Sequence, residues 1–491
     1  GAHLQDKIVE TARRHRIRIL GPNTLGMLRP QNRLNATSGV ATKLVSGNVA
    51  LVSQSGAVCS AMLDWSVPRH IGFSSMVSLG AAADVDFGDV LDFLALDAHT
   101  QCILLYVEGI RDARRFMSGL RAAARIKPVI VVKAGRMAAG SRAAKSHTGA
   151  WVGSAEVFRA VMERAGAVQV DALHQLFAAA HVFGANKRLG GDRIAIITNG
   201  GGPGVLAADR AAELGMTLAT LSEQTNTKLG EVLPSCWSHG NPVDVLGDAR
   251  EDRYRLALEG VLGDDNVDGV IVISTPQLMT NLAAIAGTVA EVTPAYNKPT
   301  LVCQMALGEI EETMAIWSEA RLPHYHFPEE AARSLGAMAR FAANIHRDRY
   351  EVKTFADVDR GKVQEVLNRV NAAGRKFVLE PEAHEIFQAY GFPVSPFAWT
   401  QTEDQAVRAA ADLGYPVVLK IVSPDIIHKF DVGGVKLNLT GADELRKGFR
   451  EIMASVARTQ PGAVVQGMLV QKMIPQGRET ILGMTRDPLF G

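Results

Sequence analysis

A histidine sits among small and polar residues in the stretch Lys145-Ser146-His147-Thr148-Gly149-Ala150. An imidazole nitrogen that attacks phosphorus needs an uncrowded, mobile perch, and Gly140, Ser141, Ser146, Thr148 and Gly149 supply one around His147. The same surroundings also suit a surface or helix-capping histidine, so the rest of the chain must decide. Glu108 follows the apolar run 102–107, which places a carboxylate at the C-terminal end of an expected strand, where parallel sheets bind ligands. Two turns of small residues, Ser53-Gln54-Ser55-Gly56 and Asn199-Gly200-Gly201-Gly202, each follow an apolar run and open a helical pattern. Backbone amides at such a helix start suit a phosphate, so Ser53, Ser55 and Gly56 form one candidate cradle and Asn199 to Gly202 another. Further on, Lys420 closes a strand pattern and a loop with His428, Lys429, Gly433 and Gly434 follows, a combination able to clamp nucleotide phosphates. Gln471, Lys472 and Met473, with Glu479 beyond them, are candidates for contacts to a purine edge.

The elements that must position these residues repeat. Residues 49–58 and 194–204 share one plan: apolar strand, small-residue turn, helix. Matching strands follow at 102–107 and 269–273, and each copy then has Lys-Pro and another strand, at 127–132 and 298–303. Short continuous apolar strands alternating with helices predict parallel sheets covered on both faces. We therefore expect an α/β fold with two doubly wound domains, 45–188 and 189–345, related by duplication. In the second copy Thr275 stands at the place of Glu108, and the Ser146-His147-Thr148-Gly149 loop has no counterpart. One catalytic copy and one supporting copy are expected. Residues 1–44, with a basic helix, a strand at 18–20 and the turn 21–26, read as the tail of another α/β domain. Residues 346–375 read as a polar helical linker. The segment 376–491 has a different character, with strands expected at 394–399 and 415–420.

Composition narrows the class. The 491 residues carry 52 Lys and Arg against 51 Asp and Glu, a net charge of +1, so no bulk charge holds nucleic acid or an anionic membrane. No apolar run approaches the roughly 20 residues of a membrane span. The four cysteines are scattered without a CxxC pair, which fits reduced thiols in a cytoplasmic protein. The chain opens on Gly1-Ala2-His3 and ends on Asp487-Pro488-Leu489-Phe490-Gly491, and a fragment is expected at both ends.

Together the stretches at 21–26 (GPNTLG), 53–57 (SQSGA), 104–110 (LLYVEGI), 133–136 (KAGR), 146–150 (SHTGA), 198–211 (TNGGGPGVLAADRA), 241–245 (NPVDV) and 417–435 (VVLKIVSPDIIHKFDVGGV) resemble the NDP-forming acyl-CoA synthetases, the superfamily of succinyl-CoA synthetase. The resemblance implies the tail of a Rossmann-like CoA-binding domain, two flavodoxin-like domains and part of an ATP-grasp domain. It also implies a relay in which acyl-CoA and phosphate give an acyl phosphate, His147 takes the phosphoryl group, and the loop delivers it to ADP. Glu108 would orient the imidazole and stabilise its cation. Lys420 would pair with nucleotide phosphate, magnesium would bridge the oxygens, and His428 would assist the passage. ATP or ADP, Mg2+ and CoA are the implied cofactors, and a homo-oligomer is expected. The family's magnesium carboxylates belong to the part of the ATP-grasp domain absent here, so no metal ligand is expected in this stretch. Ala81 stands where the family commonly has asparagine, and Phe430 where a small polar residue is usual. Two rival readings stay open. One is the acyl-CoA-sensing region of a lysine acetyltransferase with a fused GNAT domain, which resembles the same array. The other is a non-catalytic nucleotide or CoA sensor.

Overall fold

The computed structural model describes residues 2–38, 45–137, 139–140, 154–185, 187–306, 310–345 and 353–491. His147 and its loop lie outside the described residues. Two compact units divide the chain, residues 1–348 with 485–491, and residues 349–484.

The first unit holds two sheets. One comprises β1 (Gly26–Arg29), β2 (Leu34–Thr37), β3 (Ser46–Ser53), β4 (Phe73–Ser78), β5 (Cys102–Val107), β6 (Val129–Lys133) and β7 (Val168–Val170), in the order β2-β1-β4-β3-β5-β6-β7. Strands β3 to β7 are parallel, and β1 and β2 add an antiparallel hairpin beside β4. The other sheet comprises β8 (Arg193–Thr198), β9 (Thr217–Leu218), β10 (Val243–Asp244), β11 (Gly269–Ser274), β12 (Thr300–Gln304) and β13 (His324–Tyr325). Its path is β10-β8-β11-β12-β13, all parallel, with β9 also on β8. Numbered from β3, the parallel strands of the first sheet run 2-1-3-4-5, the flavodoxin-like order, and the second sheet matches it when β9 and β10, which both pair with β8, are counted as one position. The expected duplication is therefore present in topology as well as in pattern.

The cause lies in the strand sequences. Leu51, Leu104 and Ile130 stand in register across the first sheet, and Ile196, Ile271 and Leu301 across the second, all fully buried. Strands apolar on both faces demand helices on both sides. The helices Leu173–Gly184 and Pro328–Ile345 fill the space between the two sheets. Through Leu176, Ala180, Leu335 and Phe341 they join both sheets in one apolar core.

One local expectation fails. Residues 18–20 form no strand. The Ile19 amide donates to Asp84 Oδ2 at 2.9 Å and its carbonyl accepts from Val85 at 3.0 Å, two isolated ties rather than a ladder. The turn after it is held tightly. At Gly80, with φ of +56°, an added Cβ would lie 2.3 Å from the carbonyl oxygens of both Pro22 and Asn23. Ala81, beside it, donates its amide to the Pro22 carbonyl at 2.9 Å.

The second unit carries one antiparallel sheet in the order β14-β17-β15-β16, from β14 (Phe397–Thr400), β15 (Val417–Val422), β16 (Val435–Leu439) and β17 (Gly467–Lys472). β14 starts three residues later than expected, after Pro393 and Pro396, which cannot donate to a ladder. Residues Arg360–Ala372, within the expected linker, form a helix that buries Val366 and Val370.

Candidate active site

The first centre gathers at the C-terminal ends of β3, β5 and β6. Ser53, fully buried, donates its hydroxyl to the Ser55 carbonyl at 2.9 Å and accepts the Ser55 amide at 3.0 Å. This turn brings the chain to Ser55, whose side chain caps the helix Gly56–Ser66 by accepting from the Val58 amide. First-turn amides of that helix have no acceptor within it, and Gly56 opens it beside Leu25. Between the two serines, buried Gln54 turns the other way. Its Oε1 accepts the backbone amides of Glu108 at 2.7 Å and Gly109 at 3.0 Å.

Glu108 is buried, 7% exposed, one residue past β5. Its carbonyl accepts Lys133 Nζ at 2.8 Å, and the same ammonium donates to the Ala134 carbonyl at 2.6 Å. Burial pushes the Lys133 ammonium down to about 8, and the Glu108 charge opposes that shift. Lys133 follows from register, since it stands beside Val107 in the β5–β6 ladder. Sequence reasoning quoted it within a motif and assigned it no role.

The second copy repeats the device with other side chains. Thr198 Oγ1 donates to the Gly200 carbonyl at 2.8 Å and accepts its amide at 3.0 Å, as Ser53 does for Ser55. Asn199 takes the place of Gln54. Its Oδ1 accepts the Thr275 amide at 2.8 Å and hydroxyl at 3.0 Å, and its Nδ2 donates to the Thr275 carbonyl at 3.0 Å. The Asn199 side chain therefore serves as a brace. Glu108 and Thr275 occupy equivalent positions, as the repeat predicts. The helix Gly201–Glu213 begins without a side-chain cap, at Gly200. An added Cβ at Gly202 would meet nothing within 4 Å, so packing does not demand glycine there. First-turn amides without a side-chain cap suit an anion.

The second unit holds another cluster. Lys420 on β15 donates to Glu380 Oε1 at 2.6 Å and to Gln471 Oε1 at 3.0 Å, and Lys429 donates to Glu380 Oε2 at 2.8 Å. Burial raises the Glu380 carboxyl, but the hydrogen bonds from Lys420 and then Lys429 outweigh it and hold it below the usual range. Glu380 opens the helix Glu380–Ala389, and one turn on His384 packs edge-on against Phe397, with ring centroids 4.7 Å apart. Burial lowers the His384 imidazole. Sequence reasoning missed Glu380 and His384. The acid before Pro381 marks a helix start, but nothing in it names the lysines it meets.

The remaining expected residues fall as follows. His428 is exposed on the loop beside Lys429, and Phe430 is exposed as well. Gly433 has φ of +67°, and a Cβ at Gly434 would meet Ile421 Cγ2 at 2.5 Å, so backbone conformation favours the first glycine and packing against Ile421 the second. Gln471 turns its side chain to Lys420, and Lys472 Nζ is spent on the carbonyls of Gly414 at 2.7 Å and Tyr415 at 3.0 Å. The Met473 amide donates to the Pro416 carbonyl, and Glu479 is exposed outside regular structure.

Family models match three segments: a succinyl-CoA ligase like flavodoxin domain over residues 46–183, a ligase-CoA domain over 194–348, and an ATP-grasp domain over 369–491. The whole chain aligns at 39% identity with 70% of an ADP-forming acetate–CoA ligase I of Archaeoglobus fulgidus. It aligns over its full length at 34% identity with 70% of an ADP-forming 4-hydroxybutyrate–CoA ligase of Nitrosopumilus maritimus. Among solved structures, a dinucleotide-forming acetyl-coenzyme A synthetase 1 of Ca. Korarchaeum cryptofilum, in complex with phosphate and ADP, superposes with a TM-score of 0.67 at 32% identity. That match covers 71% of this chain and 77% of the other. No helix among the described residues is long and apolar enough to cross a membrane.

Proposed function

The chain belongs to the family of ADP-forming acetate–CoA ligases, acid–thiol ligases, and we propose on that premise that it interconverts acyl-CoA, phosphate and ADP with acid, CoA and ATP through a phosphorylated His147. Alignment with ADP-forming ligases over the full length supports this reading over an acetyltransferase-linked one. The observation that carries it is Glu108. One copy of a duplicated fold keeps a buried carboxylate where the other has Thr275, each braced by the same kind of amide side chain.

The chemistry runs in three steps. A phosphate oxygen attacks the thioester carbonyl of acyl-CoA, the C–S bond breaks, CoA leaves as the thiol, and the acyl phosphate remains. A neutral imidazole nitrogen of His147 attacks the phosphorus of the acyl phosphate, the bond to the acyl oxygen breaks, and the free carboxylate leaves. Glu108 holds the ring and offsets its positive charge, while first-turn amides of the helices at Gly56 and Gly201 offset charge on the phosphoryl oxygens. ADP oxygen then attacks the phosphohistidine, with Lys420 and Lys429 offered to the nucleotide phosphates in place of Glu380. His428 stands on the same loop to assist. CoA is taken as the thiol substrate.

Magnesium is a different matter. Among the described residues no group of three or more His, Cys, Asp or Glu side chains converges as a metal site, so no step is assigned to the ion here. Product analysis tests the proposal. With ATP, CoA and a panel of acids including acetate and 4-hydroxybutyrate, it expects ADP and phosphate released in step with acyl-CoA; AMP and pyrophosphate would refute it.

A further inference from the structure

A cavity of about 610 Å³ opens between the two flavodoxin-like domains, with Trp65, Arg69, Phe177, His181, His324 and Arg333 in its walls. It is separate from the centre at Glu108. The helix Gly56–Ser66 starts at the C-terminal ends of the strands and runs back along the sheet. Trp65, nine residues on from Gly56, therefore stands about 14 Å away at the opposite edge.

One end of the cavity is aromatic. The Trp65 ring packs on Phe177 with centroids 5.2 Å apart and on His181 at 6.3 Å, and His181 meets His324 edge-on at 4.7 Å. The Arg69 guanidinium lies over Trp65, 4.5 Å from its ring centre, and donates to the Trp65 carbonyl at 3.1 Å. Burial holds both imidazoles in their neutral form, His324 down to about 4 and His181 well below its ordinary value. They neither add to nor cancel the charge of Arg69. Glu329 and Glu330 also line the cavity, yet among the described residues Arg69 makes no ion pair with any carboxylate. A half-buried cation without a counter-charge, at the edge of an aromatic wall, is built to receive an anion attached to a flat group.

We propose that this cavity is a second ligand site, taking a small molecule that joins a carboxylate or phosphate to a planar apolar ring. Arg69 takes the oxyanion, Trp65 and Phe177 take the ring, and the ligand pins the first flavodoxin-like domain to the second.

Calorimetric titration with phenyl phosphate and benzoate, beside inorganic phosphate and acetate, tests this. The expected result is saturable binding of the ring-bearing anions below about 1 mM, equal in wild type and Glu108→Gln, with a raised melting temperature. Arg69→Gln weakens it at least tenfold, Arg69→Lys less, and the ring-free anions bind far more weakly. Ala178→Trp, which fills the cavity while keeping the guanidinium, abolishes it and covers the case in which Arg69→Gln fails to fold. Affinity unchanged in Arg69→Gln or in Ala178→Trp, loss of binding in Glu108→Gln, or no saturation would overturn the proposal.

Discussion

Gln54 Oε1 accepts the backbone amide of Glu108 at 2.7 Å, so the turn after β3 and the end of β5 move as one piece. The same oxygen also takes the Gly109 amide, and both amides are buried. Replacing Gln54 by Ala leaves two buried donors without their acceptor, at about 1–3 kcal/mol each before water relieves them. We expect Gln54→Ala to lower stability by about 2 kcal/mol in urea unfolding and to cut kcat more than it raises KM. An unchanged kcat in a folded variant would show that this brace does not position Glu108.

Lys133 gives a pH signature. Burial holds its folded value near 8, below the unfolded value of about 10.4, so the folded chain binds fewer protons between these limits. Stability must therefore rise with pH across that window, because the burial penalty is fully present below it and is relieved as the ammonium deprotonates. Wild type should gain about 1 kcal/mol between pH 8 and 9, and Lys133→Met should lose that gain. Denaturant unfolding at the two pH values reads it directly.

On the acid side, Glu380 behaves in the opposite sense. Its folded value is held below the unfolded one by Lys420 and Lys429, so its contribution is present above about pH 4 and is lost as pH falls further. Glu380→Gln should flatten the acid limb of the stability profile by on the order of 1 kcal/mol. Lys420→Ala should raise the KM for nucleotide about tenfold and leave the KM for the acid unchanged.

Two glycines beyond strand ends, Gly80 after β4 and Gly202 in the helix after β8, separate fold from function. Gly80→Ala should abolish soluble expression or cost several kcal/mol, since its Cβ would meet two carbonyl oxygens and φ is positive. Gly202→Ala meets open space, so its melting temperature should stay at the wild-type value while phosphate affinity drops at least fivefold. Equal affinity would remove that helix start from the phosphate site.

Much of this arrangement was legible in the chain because it is written twice. Continuous apolar runs spaced by helices dictate parallel sheets, and aligning the copies puts Glu108 opposite Thr275 before any coordinates. The triplet 18–20 predicts a strand but names no partner, and Ile19 finds two bonds instead of a ladder. Lys133 and Glu380 were invisible for a related reason. Their roles come from register and from a helix start meeting lysines 40 and 49 residues away. The side chain of Asn199 braces Thr275 as Gln54 braces Glu108, a role that its place in a glycine-rich turn does not announce.

The relay depends on His147 as the carrier of the phosphoryl group. Incubation with [γ-32P]ATP, followed by acid and base treatment of the denatured chain, tests it most directly. An acid-labile, base-stable label is expected, absent from His147→Ala and reduced in Glu108→Gln. A label of the same size and stability in His147→Ala would contradict it.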